Sequence, residues 1–172
     1  LYLTNNSKVM IKIYNTFEGE IKDLWIELEA NSHMPPFQSY NWLSNWHKTS
    51  GKKYSLFITC IILEGRIEAI FPFGMHGKKI IKKLEWLGGS HADYMSPILR
   101  SDNSSVINDF DKLWREALNA LPQFDVLYLA KQTPKIGNKD NPFVNIYPSV
   151  KSMQSYQSIV GGEWNLFKNS IP

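Results

Sequence analysis

His91 and Asp93 are the two residues whose types and spacing best fit acid–base chemistry. A neutral imidazole can accept a proton near pH 7, and a neighbouring carboxylate can hold the ring in one orientation. His91 and Asp93 lie two positions apart in a loop, and this spacing does not determine how their side chains are oriented relative to each other. The same pattern also fits a structural loop in which Asp93 caps backbone N–H groups and Tyr94 packs. Both interpretations stay open.

Other catalytic and metal-binding patterns are missing from the sequence. It contains no G-x-S-x-G, Walker, H-E-x-x-H or G-x-G-x-x-G pattern, which removes the common hydrolase, nucleotidase and dinucleotide-binding classes. Cys60 is the one cysteine, so an intrachain disulfide and a cysteine-based metal cluster are excluded, and its apolar surroundings predict a core residue. His33, His47 and His76 are isolated and are predicted to be surface or loop residues. We therefore expect no metal site.

The composition is that of one soluble domain. Among 172 residues, 43% are hydrophobic and 13% aromatic, which excludes a disordered tail or a low-complexity chain. The net charge of +3 is small and comes mostly from lysine, so we expect no nucleic-acid partner. The longest apolar stretch, residues 56–63, is too short to span a membrane. One cysteine and a polar N-terminus favour a reducing compartment, and we expect a cytoplasmic protein.

The spacing of apolar residues predicts the elements that position the loop with His91. A short strand at residues 9–14 precedes a helix over residues 17–30, whose apolar residues recur at helical spacing. Two prolines end that helix, and Ser39 is well placed to cap a second one. Gly51 ends the second helix.

Three strands predicted as a meander follow the second helix. Glu64 and Gly65 form the two-residue connection typical of a tight antiparallel hairpin. The first of these strands is apolar on both faces, which indicates a central position in the sheet. The three strands are predicted at residues 54–63, 66–73 and 79–87.

The second half of the sequence predicts fewer regular elements. A loop over residues 90–102 leads to a helix capped by Ser104 or Ser105 and ending near Leu121. A continuous apolar run at residues 124–130 predicts a strand inside the sheet. Weaker signals predict a polar loop at residues 131–141, a helical turn at residues 142–147 and an alternating last strand at residues 152–160.

Trp42 and Trp46 form the strongest local motif, on one face of the second helix. Tryptophans four residues apart usually pack into a core, although an aromatic platform for a sugar or peptide also fits. Gln38, just before them, is predicted to bond the backbone in the bend after Pro36.

Four lysines form the densest positive patch in the sequence. Neighbours on a strand point to opposite faces, so a solvated strand edge is predicted, with an anion or membrane-surface site as the alternative. These lysines are Lys78, Lys79, Lys82 and Lys83.

The predicted order of elements, β-α-α-β-β-β-α-β-(α)-β, resembles the GNAT acyltransferase fold. That fold is of the α+β class, a three-layer α/β arrangement with a mixed, mostly antiparallel central sheet flanked by helices. Short aromatic motifs within residues 13–129 are similar to the acetyltransferase domain of bacterial cellulose-biosynthesis-type GNAT proteins, which are related to Fem-type aminoacyltransferases. The motifs are Trp25-Ile26-Glu27-Leu28, Phe37-Gln38-Ser39 with Trp42-Leu43 and Trp46, Phe71-Pro72-Phe73, Leu87-Gly88-Gly89 and Asp93-Tyr94.

The resemblance implies transfer of an acyl or acetyl group from acyl-CoA to an amine of a sugar, peptide or envelope precursor, without a metal. His91 and Asp93 are the candidates for taking the ammonium proton of that acceptor. The resemblance also places a substrate cleft beside the loop after the meander. The implied substrate-binding residues are Gly88, Gly89, Ser90, His91, Asp93 and Tyr94.

The chain departs from the family in the region that holds the pyrophosphate of coenzyme A. The family has an Arg or Gln followed by spaced glycines, whereas this chain offers only Gly88-Gly89-Ser90 and then two acidic residues, Asp93 and Asp102. Acidic residues would repel a pyrophosphate. The sequence therefore assigns no cofactor-binding residue to this chain.

Proteins of this family commonly carry two such lobes in one chain. Residues 1–162 correspond to a single lobe, expected to be the N-terminal one, and residues 163–172 resemble the start of a helix or junction to a second lobe. The first residue is not Met, and the apolar residues Trp164 and Phe167 lie close to the end of the sequence. A chain cut from a longer protein and a terminal segment that folds back both fit.

Three functions remain open from the sequence. In the first, this lobe supplies acceptor-binding surface and a missing second lobe holds acyl-CoA. In the second, the chain is a catalytically silent binding or interaction domain that keeps the fold for its groove. In the third, it is a complete single-lobe acetyltransferase that holds the pyrophosphate through Gly88-Gly89-Ser90 or the helix start at Ser104.

Overall fold

Strands and helices follow each other largely as the apolar spacing predicts. The computed structural model describes residues 9–78, 81–102, 106, 108–150, 164, 168 and 169. The described strands are β1 (Val9–Tyr14), β2 (Ser55–Leu63), β3 (Arg66–Lys78), β4 (Ile81–Trp86), β5 (Ile98–Leu99), β6 (Val126–Tyr128), β7 (Lys135–Ile136) and β8 (Lys139–Asp140). The described helices include α1 (Glu20–Ala30), α2 (Tyr40–Thr49), α3 (Phe110–Asn119) and α4 (Phe143–Ile146), with 3-10 turns at Pro36–Gln38 and Gly89–His91.

One mixed sheet forms the centre of the protein. Its strands lie in the order β1-β2-β3-β4-β6, and β5 pairs with the first half of β3. Every pair is antiparallel except β4 and β6, which run parallel over Lys83–Glu85 and Val126–Tyr128. Helices flank the sheet, so the predicted α+β class with a mostly antiparallel central sheet is confirmed.

The central position predicted for the second strand is confirmed. β2 pairs with β1 on one side and β3 on the other, and its apolar residues are buried on both faces. The predicted hairpin between β2 and β3 is also confirmed. Leu63 pairs with Arg66, and the two residues between them, Glu64 and Gly65, have φ angles of 52° and 85°. Positive φ at both positions matches the right-handed twist of the strands.

Two apolar cores lie on opposite faces of the sheet. Helices α1 and α2 cover one face with residues such as Trp25, Leu28 and Leu43, all fully buried. Ser39 caps α2 as predicted, because its Oγ accepts a hydrogen bond from the Trp42 N–H at 3.3 Å. Helix α3 and Phe143 of α4 cover the other face and pack against aromatic residues of β3 and β4.

The prediction that residues 124–130 form a strand inside the sheet is wrong. β6 has three residues and lies at the end of the order among the described strands. Only one of its faces meets the core, so Val126 and Tyr128 remain 43% and 50% exposed. The predicted polar loop at residues 131–141 contains a small hairpin instead, β7 with β8. The caps at Ser104 and Ser105 and the strand at residues 152–160 lie outside the described residues.

The chain leaves the sheet between β4 and β5. β4 pairs with the second half of β3, from Phe73 to Lys78, whereas β5 pairs with Ala69 and Ile70. The N–H of Leu87 still bonds the carbonyl of Pro72 at 2.8 Å, and the chain then departs from the sheet. Residues 88–96, called the 88–96 loop below, therefore lie outside the sheet beside the end of β4. This loop carries all the substrate-binding residues that the resemblance implies.

Candidate functional site

Two glycines start the 88–96 loop with backbone angles that other residues rarely adopt. Gly88 has a φ angle of 113° and Gly89 one of 53°. A Cβ atom on Gly88 would lie only 2.8 Å from the Cβ atom of Ala92, so space as well as φ requires glycine there. The turn brings Gly89, Ser90 and His91 into a short 3-10 helix whose side chains face outward.

The end of the loop is held by Gln38, which is fully buried. The Gln38 Oε1 atom accepts hydrogen bonds from the N–H and the hydroxyl of Ser96, each at 3.0 Å. Its amide group donates to the carbonyl of Ser96 in return. The prediction that the Gln38 side chain bonds the bend after Pro36 is wrong, because its partner lies 58 residues along the chain.

Lys131 holds the start of the loop. Its ammonium group donates to the carbonyl of Ala92 at 2.6 Å, of Gly89 at 3.2 Å and of Ser90 at 3.3 Å. The N–H of Met95 donates to the carbonyl of Lys131 at 3.0 Å. Because Lys131 follows β6, these bonds place the loop in the space where the chain segments after β4 and β6 separate. Sequence reasoning missed Lys131, which has no local motif.

His91 is oriented by Trp46. The indole N–H of Trp46 lies 3.3 Å from His91 Nδ1, and an indole nitrogen can only donate. Nδ1 therefore accepts, and the neutral ring carries its proton on Nε2. Within residues 81–102, no hydrogen bond joins His91 to Asp93. The structure thus leaves His91 an outward-facing donor at Nε2, while the acid–base roles of His91 and Asp93 stay predictions.

An aromatic patch lies beside the exposed residues of the loop. We define it as Phe37, Trp42 and Tyr94, which are all half-buried. Phe37 makes an edge contact with Trp42 at 5.5 Å between ring centroids and a tilted contact with Tyr94 at 6.5 Å. Trp42 in turn stacks on Trp46 at 6.5 Å, and Trp46 is only 7% exposed. Trp46 is therefore a core residue, whereas Trp42 retains accessible surface.

A polar cluster centred on Glu85 was missed by the sequence analysis. Glu85 is 9% exposed, and its Oε1 atom accepts hydrogen bonds from the Tyr54 hydroxyl at 2.9 Å and from His76 Nε2 at 2.8 Å. Its Oε2 atom pairs with the Lys83 ammonium group at 2.5 Å. Lys83 also lies 3.8 Å from the centroid of the Tyr128 ring. The prediction that His76 is isolated is wrong. We call Tyr54, His76, Lys83 and Glu85 the Glu85 cluster.

Strand register explains why the Glu85 cluster forms. Gly74 pairs with Glu85 and His76 with Lys83, so these alternate residues of β3 and β4 share one face of the sheet. Lys82 points to the other face, as expected for neighbours on a strand. Periodicity indicates the face of each strand, but the register that joins His76 to Glu85 is set by the turn between the strands.

Glu85 remains ionised at neutral pH. Burial opposes the charge, but the hydrogen bonds from Lys83, Tyr54 and His76 outweigh burial and lower the pKa of the Glu85 carboxyl. Burial and the bond to this carboxylate raise the pKa of the Tyr54 hydroxyl, so Tyr54 stays a neutral donor. The cluster therefore contains one fixed negative charge with a cation and a histidine around it.

The Glu85 cluster adjoins the 88–96 loop. A Cβ atom placed on Gly89 would lie 3.6 Å from the Tyr54 hydroxyl and 3.5 Å from the Trp46 ring. The Tyr54 and Trp46 rings are 5.4 Å apart. Tyr54 thus lies between the cluster and the loop.

The surroundings of the remaining candidate residues indicate structural roles. Cys60 is fully buried in β2, and burial raises the pKa of its thiol, as expected for a core residue. His47 Nε2 donates to the carbonyl of Tyr54 at 3.1 Å, and His33 is exposed. In the part of the chain that the structure describes, no three His, Cys, Asp or Glu side chains converge as metal ligands. None of the described helices combines the length and apolarity needed to span a bilayer.

A separate groove of about 850 Å³ lies between α3, α4 and the β7–β8 hairpin. Polar and charged residues line it, including Arg115, Lys135 and Asp140. Arg115 is already paired with Asp111 at 2.9 Å. No residue of the 88–96 loop lines this groove.

Comparisons with known proteins found one similar solved structure and no similar family or curated protein. No protein family model matches this chain, and no curated protein is significantly similar to it. A solved structure of a GNAT family acetyltransferase from Staphylococcus aureus is similar at 13% identity, covering 87% of this chain and 98% of that chain, with a TM-score of 0.46. Similarity at this level assigns neither an activity nor a substrate to this chain.

Proposed function

We propose that this chain is a lobe of a cytoplasmic acyltransferase that moves an acyl group, such as acetyl, from acyl-CoA to an amine. The amine belongs to a sugar, a peptide or an envelope precursor, and this lobe supplies the surface that binds it. The proposed acceptor surface consists of Gly88, Gly89, Ser90, His91, Asp93 and Tyr94. A second lobe is the proposed partner that holds most of the donor.

One observation carries the proposal: an exposed carboxylate lies next to an aromatic patch on a loop that is anchored at both ends. The Asp93 carboxylate is exposed, and Tyr94 beside it contacts Phe37 of the aromatic patch. Aromatic faces bind the apolar side of a sugar ring or a peptide side chain, and a carboxylate pairs with an ammonium group. Because Gln38 and Lys131 fix the loop before a ligand arrives, little entropy is lost on binding.

The donor fits this lobe less well than the acceptor does. The resemblance implies that acyl-CoA lies where two parallel strands diverge, and β4 and β6 do run parallel over three residue pairs. In this chain the space beyond them holds the 88–96 loop, bonded through Met95 and Lys131. The loop occupies part of the place where the resemblance puts the thioester, and this supports assigning the donor to a second lobe.

A binding experiment on the chain tests the acceptor surface. A glucosamine trisaccharide and a lysine-containing tripeptide are titrated against the protein while tryptophan fluorescence and amide NMR shifts are recorded. We expect one or both amines to shift signals in residues 88–94, and their N-acetylated counterparts to bind more weakly because the ammonium charge is gone. Asp93→Asn should weaken amine binding, whereas Asp23→Asn, an exposed carboxylate on α1, should not.

Titration with acetyl-CoA separates the alternatives. No binding of acetyl-CoA together with binding of an amine supports the proposed acceptor lobe. A micromolar acetyl-CoA site would contradict the assignment of the donor to a second lobe and favour a complete single-lobe enzyme. No binding of either ligand would overturn the acceptor role. In that case a catalytically silent interaction domain would be favoured.

A further inference from the structure

In the Glu85 cluster, a histidine is hydrogen-bonded to a buried carboxylate, which is an arrangement typical of general bases. His76 Nε2 and the Tyr54 hydroxyl both donate to the same oxygen of Glu85, at 2.8 and 2.9 Å. The other oxygen of Glu85 is paired with Lys83. Since an ionised carboxylate can only accept, His76 Nε2 must carry a proton.

This bond fixes the tautomer of His76. With the proton on Nε2, the neutral ring has its lone pair on Nδ1, and Glu85 stabilises the imidazolium that forms when Nδ1 takes a proton. His91 has the opposite arrangement, because the Trp46 N–H already occupies its Nδ1. We infer that His76 is a general base, acting through Nδ1, and that Glu85 is the residue that positions it.

The surroundings of His76 allow a substrate to reach the ring. The side chain is 27% exposed, whereas that of Glu85 is 11% exposed. On the adjoining strands, Ile81, Val126 and Tyr128 are 56%, 43% and 50% exposed, so this part of the sheet face is open. Among the described side chains, the charged and titratable ones that face His76 are Tyr54, Lys83 and Glu85, with the Lys53 ammonium group 5.2 Å from the Tyr54 ring centroid.

The step assigned to His76 is a proton transfer. A bound ammonium group gives one proton to Nδ1, which leaves a neutral amine with a free electron pair and a positively charged ring, and the ring later returns the proton to water. The role of this step in acyl transfer rests on the function proposed above. The proton-accepting property of His76 does not depend on it, and the two are therefore tested apart.

The first test determines the tautomer of His76 in the native protein by long-range nitrogen–proton NMR correlation. The chain has four histidines, so the ring signals can be assigned by single substitutions to Gln. We expect the neutral His76 ring to carry its proton on Nε2. A proton on Nδ1 would overturn the inference. In Glu85→Gln, where the charge is lost, the preference for one tautomer should decrease.

The second test uses p-nitrophenyl acetate, a small activated ester that needs no site for coenzyme A. His76 would take a proton from the attacking water, the resulting hydroxide would add to the ester carbonyl, and acetate and p-nitrophenolate would form. General-base catalysis contributes about 10²–10⁴-fold, and for an unspecific ester we expect His76→Gln to lower the rate by about tenfold or more.

His33→Gln is the matched control, because His33 is exposed and lies outside the Glu85 cluster. It should retain the wild-type rate. A folded His76→Gln protein with the wild-type rate would overturn the general-base role. Failure of the chain to bind any amine, with the His76 effect on the ester intact, would instead overturn the proposed acyl-acceptor function alone.

Discussion

Replacement of Gln38 by leucine tests whether a buried amide fixes the candidate site. Leucine keeps much of the volume but removes both bonds to the backbone of Ser96, which is 1% exposed. A buried backbone group without a partner costs about 1–3 kcal/mol, so two such groups cost about 2–6 kcal/mol. A domain of this size is stable by only about 5–15 kcal/mol, and we therefore expect a large fraction of its stability to be lost.

Urea unfolding followed by tryptophan fluorescence measures this loss. Gln123→Leu is the control, because Gln123 is exposed and its replacement should change the free energy of unfolding by less than about 0.5 kcal/mol. Native-state hydrogen exchange adds a local readout, since the amides of Met95 and Ser96 should lose protection in Gln38→Leu. Combining Gln38→Leu with Ser96→Ala should cost less than the two single changes together, because both remove the same hydroxyl bond. A Gln38→Leu protein as stable as the wild type would refute the reasoning.

Three further predictions concern other parts of the structure. Lys131→Met removes the ammonium group from three loop carbonyls, and we expect faster amide exchange at Met95 and His91, whereas the exposed Lys135→Met should leave it unchanged. Glu85→Gln should destabilise the protein at pH 7. Since the pKa of Glu85 is lower in the folded than in the unfolded state, its contribution is present above the ordinary carboxyl range and is lost as pH falls through the folded value. The deficit of Glu85→Gln relative to wild type should therefore shrink in acid, and a deficit that is constant with pH would contradict this. The Cys60 thiol, whose pKa burial raises, should not react with a thiol reagent at pH 8 until urea unfolds the protein.

Local sequence signals predicted α1, α2 and the β2–β3 hairpin, but they placed the end of β3 at residue 73 instead of Lys78 and missed β5. The apolar run of β2 predicted its central position because a strand buried on both faces needs apolar residues at every position. Glu64 and Gly65 predicted a hairpin because only a few residue pairs adopt positive φ at both turn positions. The capping role of Ser39 followed from the same kind of local chemistry.

The site could be predicted only in part, because its contacts join residues far apart in sequence. Gln38 and Ser96 are separated by 58 positions, and Lys131 contacts carbonyls about 40 positions away. No periodicity encodes such pairs. His76 and Glu85 are closer, but their contact depends on the register of β3 and β4. The loop was predicted at residues 90–102, but that range contains β5, which pairs with β3 and was not predicted.

The misplaced strand at residues 124–130 bears most directly on function. An apolar run predicts burial, yet β6 pairs with β4 over only three residues and its segment then separates from β4 to make room for the 88–96 loop. Tyr128 pairs with Glu85 on the outer face of β6 and is exposed beside Lys83, on the sheet face that holds His76. The candidate acceptor surface therefore depends on the short pairing of β4 with β6, and the proposed base depends on the exposed face of that pair.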